Sequence, residues 1–543
     1  MEKITFNSFK FYILIFIFIL LAHFPTLTGD FLKQDDWNAT FWNLDIITSH
    51  PEFFNAALEL FRPISILIIL ISDYITLDIE NAKYVRLITI VLMSLCAYIT
   101  FKWQLKFKPN DKLLALSFAI LAFCLPASHL HSSTTTYIHM VFALLCGQLG
   151  MVYFYKAIIK KQSNKINKKY LLFSSSLIMV GLLNYPPTAM IFFVFLLIYF
   201  LSNTSALYES NHQIYLFTFQ AAFYFFLLML LYLILAKSIH FVFDVEPKLH
   251  GGAIRSVHID WNIYNKILHI YTMVKASINS INLFFYDMTT LRNIPSNFYI
   301  LSFIFLIYCN GIFLSYFKKL NREKNYIYFF KYLILIFVIS FLLLILSYFP
   351  ILAIDVEIPV WTTFRYTAVT APFILYIFLW SINNIEMLVF KSKKNLIKSL
   401  LLLTILIFGV FKSNYVMNNM VVGPHVAEMN HIANHIEINS SKFLDNNKST
   451  IIIIRDNTEK NLLFNDYDLR INDTHNWLVS ATIYLLRKYE INTIPSHKVL
   501  NWDEDIIHIS SYWGDLISLN SLKNINLNNY KNKIIINMKN INK

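Results

Sequence analysis

The chain has 543 residues, of which 56% are hydrophobic, 17% aromatic and only 15% charged, and its mean hydropathy is +0.51. A soluble fold has too little interior to hide so much apolar surface, and the same figures exclude a disordered chain, a collagen-like repeat and a disulfide-built secreted scaffold. The formal net charge of +13 does not point to nucleic acid, because the basic residues sit in short clusters between apolar runs, as in loops held at a cytoplasmic face. Composition therefore predicts a polytopic α-helical membrane protein. All four cysteines (Cys96, Cys124, Cys146, Cys309) fall inside apolar runs, so neither a disulfide framework nor a cysteine zinc site is expected.

Taken in chain order, eleven apolar stretches can cross a bilayer: 11–24, 84–101, 113–128, 137–155, 170–184, 186–201, 214–236, 298–317, 327–349, 365–382 and 396–411. The first follows Lys3 and Lys10 with no small-residue cleavage site behind it, and reads as a retained anchor. A twelfth run, 63–77, is too short to cross: its 15 residues span about 22 Å as a helix against a hydrocarbon core of roughly 30 Å. Asp73 near its end disfavours crossing further. It is expected to be re-entrant or interfacial.

The loops then divide by charge. Segments 1–10, 102–112, 156–169, 318–326 and 383–395 carry 19 Lys and Arg, whereas 25–62, 129–136 and 349–364 carry 2. The basic set is expected in the cytoplasm, with the N-terminus inside and the C-terminus outside. Large outer regions are expected at 25–83, at 237–297 and after 411. The second holds an amphipathic pattern (Trp261, Ile263, Ile267, Ile270, Tyr271, Val274, Ile278) suited to a helix on the membrane surface. Residues 412–543 turn polar and Asn-rich. Strand-like runs at Thr450–Ile454 and Ile534–Ile536 and a helical run near 476–489 predict a small α/β domain outside the membrane.

Several crossings, among them 113–128, 170–184 and 214–236, contain no Asp, Glu, Lys or Arg. An ion-coupled transporter needs such groups along its path, so chemistry is expected at the outer face. There the first loop reads Asp35-Asp36-Trp37-Asn38. An acidic pair just outside a bilayer can act as general base on a hydroxyl or hold a divalent ion; equally, it can be a solvated loop. Arg62 and Arg365 each stand at the outer end of an apolar run, where a guanidinium can bind a phosphate at head-group depth or simply reach toward lipid head groups. His129 and His131 lie in an expected outer hairpin and Tyr185 in the turn Asn184-Tyr185-Pro186-Pro187. His431 and His435 are spaced i, i+4 with no acidic residue directly after His431, which reads as a hydrated helix face rather than a zinc site. No Gly-rich phosphate loop occurs, which disfavours nucleotide-dependent chemistry.

The order of these features resembles the GT-C superfamily of polyprenyl-phosphate-sugar-dependent glycosyltransferases: a first crossing, Asp35-Asp36-Trp37 in an outer loop, Phe61-Arg62-Pro63-Ile64 opening a short apolar helix, and His129-Leu130-His131-Ser132 at a hairpin. The Asp-Asp-Trp-Asn, Arg-Pro and Tyr185-Pro186 sequence is similar to the O-antigen glucosyltransferase type. The resemblance implies that Asp36 or Asp35 is the catalytic base, that Arg62 and Arg365 take up the charge of the leaving polyprenyl phosphate, and that Trp37, His129, His131 and Tyr185 line the substrates. It implies a surface glycan, O-antigen above all, as acceptor and the periplasmic face of a bacterial inner membrane as location. A monophosphate donor requires no metal cofactor, whereas pyrophosphate-using relatives employ Mg or Mn, so metal use stays open. An O-antigen polymerase or ligase, a lipid-linked sugar flippase and a non-catalytic envelope scaffold are the competing readings.

Overall fold

The computed structural model describes residues 6–32, 61–76, 79–159, 166–203, 212–242, 262–282, 326–352, 367–385, 394–438 and the strand segments 450–454, 496–498, 506–510 and 533–537. The described helices are α1 (Phe6–His23), α2 (Pro63–Ile75), α3 (Ala82–Phe107), α4 (Lys112–Leu121), α5 (Pro126–Ser133), α6 (Ile138–Ile159), α7 (Lys168–Asn184), α8 (Ile191–Ser202), α9 (His212–Val242), α10 (Ile263–Asn282), α11 (Tyr326–Leu352), α12 (Thr370–Ile385), α13 (Lys394–Val416) and α14 (Gly423–Ile438). Single helical turns at Pro25–Thr28 and Pro186–Ala189 precede longer elements.

Four apolar helical stretches among the described residues are long enough to cross a membrane, Ile79–Phe107, Thr135–Ile158, Gln213–Ile239 and Lys398–Ile438. Counting the bent pair α4–α5 as one span makes five. Five further apolar helices are shorter, among them Pro63–Ser72, which is the run expected not to cross. Of the eleven predicted stretches, 298–317 lies outside the described residues; the described residues of each of the others are largely helical.

These helices bury one apolar face and expose another. α9 buries Phe217, Ala221, Phe225 and Leu228 while exposing Leu216, Phe219, Phe223 and Leu227. Apolar side chains on both faces are the mark of a helix with protein on one side and hydrocarbon on the other. α8 is the exception, since all of Ile191 through Ser202 is buried. It is the central post of the bundle, packed against α3, α6 and α11. Close packing of α6 on α7 relies on missing side chains. A Cβ on Gly150 would lie 2.5 Å from Ile178 Cγ1 of α7, and Ser174 Oγ donates to Gly150 O at 2.7 Å across the same seam.

Contacts between helix ends define two ends of the bundle. At one, Trp103 donates to Phe195 O at 2.9 Å, Lys106 Nζ lies 3.5 Å from the Tyr155 ring centre, and Lys398 pairs with Asp111 at 3.4 Å. The helix termini bearing Lys102, Lys108, Lys112 and Lys156 gather here, so the described residues of the basic segments 102–112 and 156–169 lie at one end of the fold. At the opposite, polar end meet the C-terminal ends of α1, α7 and α13, the N-terminal ends of α3 and α6, and α5.

The predicted span 113–128 is not one helix. α4 stops at Leu121, and α5 restarts at Pro126 after a 55° bend. Pro126 sits at the first position of α5, where its missing amide costs nothing, and Leu125 before it is extended, as a residue preceding proline prefers. The stretch 129–136, expected as an outer loop, is thus the second half of α5 and a 3₁₀ turn at Thr135–Tyr137, all buried. Correspondingly, α7 and α8 meet at the expected turn, but α7 packs on α6 rather than on α8.

α10 is the amphipathic helix expected in the 237–297 region. Its first half exposes Ile263, Tyr264, Ile267 and Tyr271, and its second half buries Met273, Ser277, Ile278 and Ser280 against α11 and α12. After α13 a π-helical segment (Met417–Val422) leads into α14. The four strands β1 (Thr450–Ile454), β2 (Ser496–Lys498), β3 (Ile506–Ser510) and β4 (Lys533–Asn537) form one mixed sheet in the order β2-β3-β1-β4. β1 runs antiparallel to β3 and parallel to β4, with Thr450 opposite both Ser510 and Lys533. The helical run expected near 476–489 lies outside the described residues.

Replacing Gly150 with Val forces the α6–α7 seam apart and should destabilise the protein by about 1–3 kcal/mol. A thermal melt of the detergent-solubilised protein checks this, and an unchanged midpoint would show that the seam has room.

Candidate functional site

The polar end is built on the α4–α5 break, which carries His and Ser side chains into the bundle instead of out of it. His23, at the end of α1, is fully buried between Phe123 O (2.7 Å from Nε2) and Ser132 Oγ (2.7 Å from Nδ1). A carbonyl only accepts, so Nε2 carries a proton, while Ser132 Oγ, which also lies 3.2 Å from His129 O, bonds Nδ1. His129 reaches Ser413 Oγ on α13 at 2.7 Å, and its ring meets His23 edge-on at 5.6 Å. Three helices distant in sequence are thereby tied at one point. His131 faces a separate internal cavity with Ser128, Thr100 and Gln148.

Beside this cluster, Arg86 on α3 is 1% exposed. Its Nη1 donates to Thr26 O (3.1 Å) and Gly29 O (3.2 Å), its Nη2 donates to Phe31 O, and its guanidinium carbon lies 3.8 Å from the centre of the Phe31 ring. The planar fork and its tolerance of an aromatic face explain why arginine, not lysine, fits here. Phe31 also stacks on His425 of α14 at 5.9 Å, and Gly29 is pressed against Val422 and Val426, where a Cβ would lie 2.9 Å and 3.0 Å from their methyls. The root of the first loop, α3 and α14 form one joint.

Next to that joint, α2 opens with Phe61-Arg62-Pro63. Phe61 has φ of 49°, a left-handed conformation that costs a non-glycine residue roughly 1–2 kcal/mol. Its burial (4% exposed) and its ring contact with Tyr232 at 5.2 Å hold it there. The adjacent Arg62 is half-buried, with its guanidinium carbon 4.7 Å from the Tyr185 ring centre and its buried Nε lacking a hydrogen-bond partner among the described residues. Tyr185 in turn packs edge-on to His139 at 5.6 Å, and Asn184 Nδ2 donates to His139 O at 2.6 Å. A guanidinium on an aromatic face with a donor left over can take an oxyanion.

Helix α10, in the second of the expected outer regions, is fastened to the bundle from the side. Ser277 and Ser280 of α10 bond Thr370 (2.6 Å) and Thr367 (3.3 Å) at the start of α12, and His269 meets Tyr348 of α11 at 3.3 Å. Thr367 follows Arg365 by two positions.

Of the residues singled out from the sequence, Asp35, Asp36, Trp37 and Arg365 lie outside the described residues. The structure brings Arg62 and Tyr185 together. His129 and His131 are 2% exposed each, not turn residues at a surface, and they face different surroundings. Arg86, His23, His139 and Asn184 were not singled out. Arg86 had a signal, as a charge inside an apolar run; His23 had a weaker one, closing the first run. Among the described residues no group of three or more His, Cys, Asp or Glu is placed to hold a metal ion. His431 and His435 pair on α14 with ring centres 4.7 Å apart.

No family model matches the chain, and comparison with curated proteins gives no relative. Function must therefore be argued from the site itself.

Arg86→Lys keeps the charge but loses the fork and the flat contact with Phe31, leaving buried carbonyls underserved. A loss of about 1–3 kcal/mol is expected, clearly larger than for Arg62→Lys. Paired thermal melts in detergent check the order, and equal losses would remove Arg86 from its role in the joint.

Proposed function

We propose that this protein is a membrane glycosyltransferase of GT-C type, which moves a sugar from a polyprenyl phosphate carrier to a surface glycan, O-antigen above all, at the periplasmic face of a bacterial inner membrane. The observation that carries the reading is Arg62: a half-buried guanidinium on the Tyr185 ring at the polar end, with Nε unpartnered among the described residues, beside the root of the loop that bears Asp35 and Asp36. The resemblance in the order of Asp35-Asp36-Trp37, Arg62-Pro63 and Tyr185-Pro186 supports the same reading, as does the gathering of the basic helix termini at the other end of the bundle.

In this reaction Asp36 or Asp35 takes the proton of an acceptor hydroxyl. The oxygen attacks the anomeric carbon, the bond from that carbon to the phosphate oxygen breaks, and polyprenyl phosphate leaves with the electron pair. Arg62, with Arg365, takes up the charge that develops on the phosphate. Trp37, His129, His131 and Tyr185 belong to the lining or its support; the burial of both histidines favours support. The reaction needs no metal, although Mg or Mn at the acidic pair is compatible with it. In the proposed topology eleven helices cross, α2 lies at the outer side without crossing, and 412–543 forms an α/β domain outside the membrane that shapes or caps the acceptor side.

Asp36→Asn or Asp35→Asn, at matched membrane expression, should lower sugar transfer by about 10²–10⁴-fold, with polyprenyl-phosphate sugar accumulating. Arg62→Ala should cost about 10²–10³-fold. Surface-glycan profiles and transfer assays with labelled donor read both, and full activity in both Asp variants refutes the mechanism. Reporter fusions after residues 108, 165 and 320 should report cytoplasm and one at the C-terminus the outside; a cytoplasmic C-terminus would overturn the proposed topology.

A further inference from the structure

The cavity beside the α4–α5 break is a second polar site, separate from Arg62 and independent of the reading above. Its polar walls are Thr100 of α3, Gln148 of α6 and Ser128 and His131 of α5; Phe118 and Pro372 close it on the apolar side. Gln148 is 1% exposed, and its Nε2 donates to Thr100 Oγ1 at 3.2 Å. Thr100 spends its own proton on Cys96 O at 3.0 Å, so it has none to return. Gln148 Oε1 is left buried without a partner among the described residues. An acceptor stranded in that way costs roughly 1–3 kcal/mol. The cavity measures ≈ 20 Å³, and one water needs roughly 10–15 Å³ of such space and two to four polar neighbours.

The position of the cavity matters as much as its size. A backbone break at membrane depth is tolerated where it is enclosed by protein or lines water, and sharp bends occur where a water enters the helix ladder. We infer that this cavity is a built site for an ordered water molecule, donating to Gln148 Oε1 and bonded to the hydroxyl or imidazole that α5 brings in. The water joins α6 to the broken span and lets α5 rest inside the bundle.

Radiolytic hydroxyl labelling by short X-ray pulses, read by mass spectrometry on the full-length protein in lipid nanodiscs, tests this, because radicals form from ordered internal water itself. Phe118 and Pro372 should label about 5-fold or more faster than Phe192 and Phe200, which are equally buried but packed away from the cavity, as expected where a water is lodged. In Gln148→Leu, or in Gln148→Met should that variant fail to reach the membrane, labelling of Phe118 and Pro372 should fall to the control level. Wild-type labelling of the two residues at the control rate shows a dry cavity and overturns the inference. So does labelling that the substitution leaves unchanged.

Discussion

Inside a bundle made of Phe, Leu and Ile, a helix that stops leaves amides and carbonyls that no neighbouring alkyl chain can satisfy. The interruption between Leu121 and Pro126 poses that problem directly, and much of the polar end is the answer to it. His23 comes from α1 to take the Phe123 carbonyl, Ser132 completes the other side of its ring, and Ser413 comes from α13 to take His129. Each partner lies on a different helix. The break therefore fixes how α1, α5 and α13 sit together, and a purely apolar seam would leave them free to slide.

On that frame the roots of the large loops are fastened by polar contacts that have few alternatives. Three carbonyls of Thr26, Gly29 and Phe31 converge on Arg86. The strained Phe61 is buried against Tyr232, and the pairs Ser277–Thr370 and Ser280–Thr367 bind α10 to the start of α12. Arg62 gains a defined direction because Phe61 before it is held by packing and Pro63 after it has a locked φ. That strain sits next to the cation on which the proposed phosphate role rests.

Sequence reading located the helices well because crossing a bilayer demands long apolar runs, and the runs near 84–101, 137–155 and 214–236 sit inside α3, α6 and α9. It set 63–77 apart on length and Asp73, whereas in the structure the helix there is one of five short apolar helices among the described residues, the other four lying on stretches read as crossings. It treated 113–128 as one span because Leu125-Pro126 is equally apolar on either side of a bend; hydropathy does not register where a helix stops. His129 and His131 looked like turn residues for the same reason, since a Ser- and Thr-rich stretch reads as solvated unless partners such as His23 and Ser413 are known to arrive from more than a hundred residues away. Tyr185 and Arg62 were named separately, and their pairing was beyond any local pattern. Strand runs at 450–454 and 534–536 were legible from Ile repetition, whereas the parallel pairing of β1 with β4 was not.

The tie between α1 and α13 also bears on how the chain is made. Asn414 Nδ2 donates to Leu21 O at 2.6 Å across 393 positions of sequence. At a synthesis rate of about 5–20 residues per second, α1 waits roughly 20–80 s in the bilayer before α13 exists. Throughout that interval Ser413 has yet to be made, and the imidazole of His129 must find shelter elsewhere, in the insertion machinery or in water at the membrane surface. Biogenesis of this protein thus has a late closing step, in which α13 seals a polar junction laid down by α1.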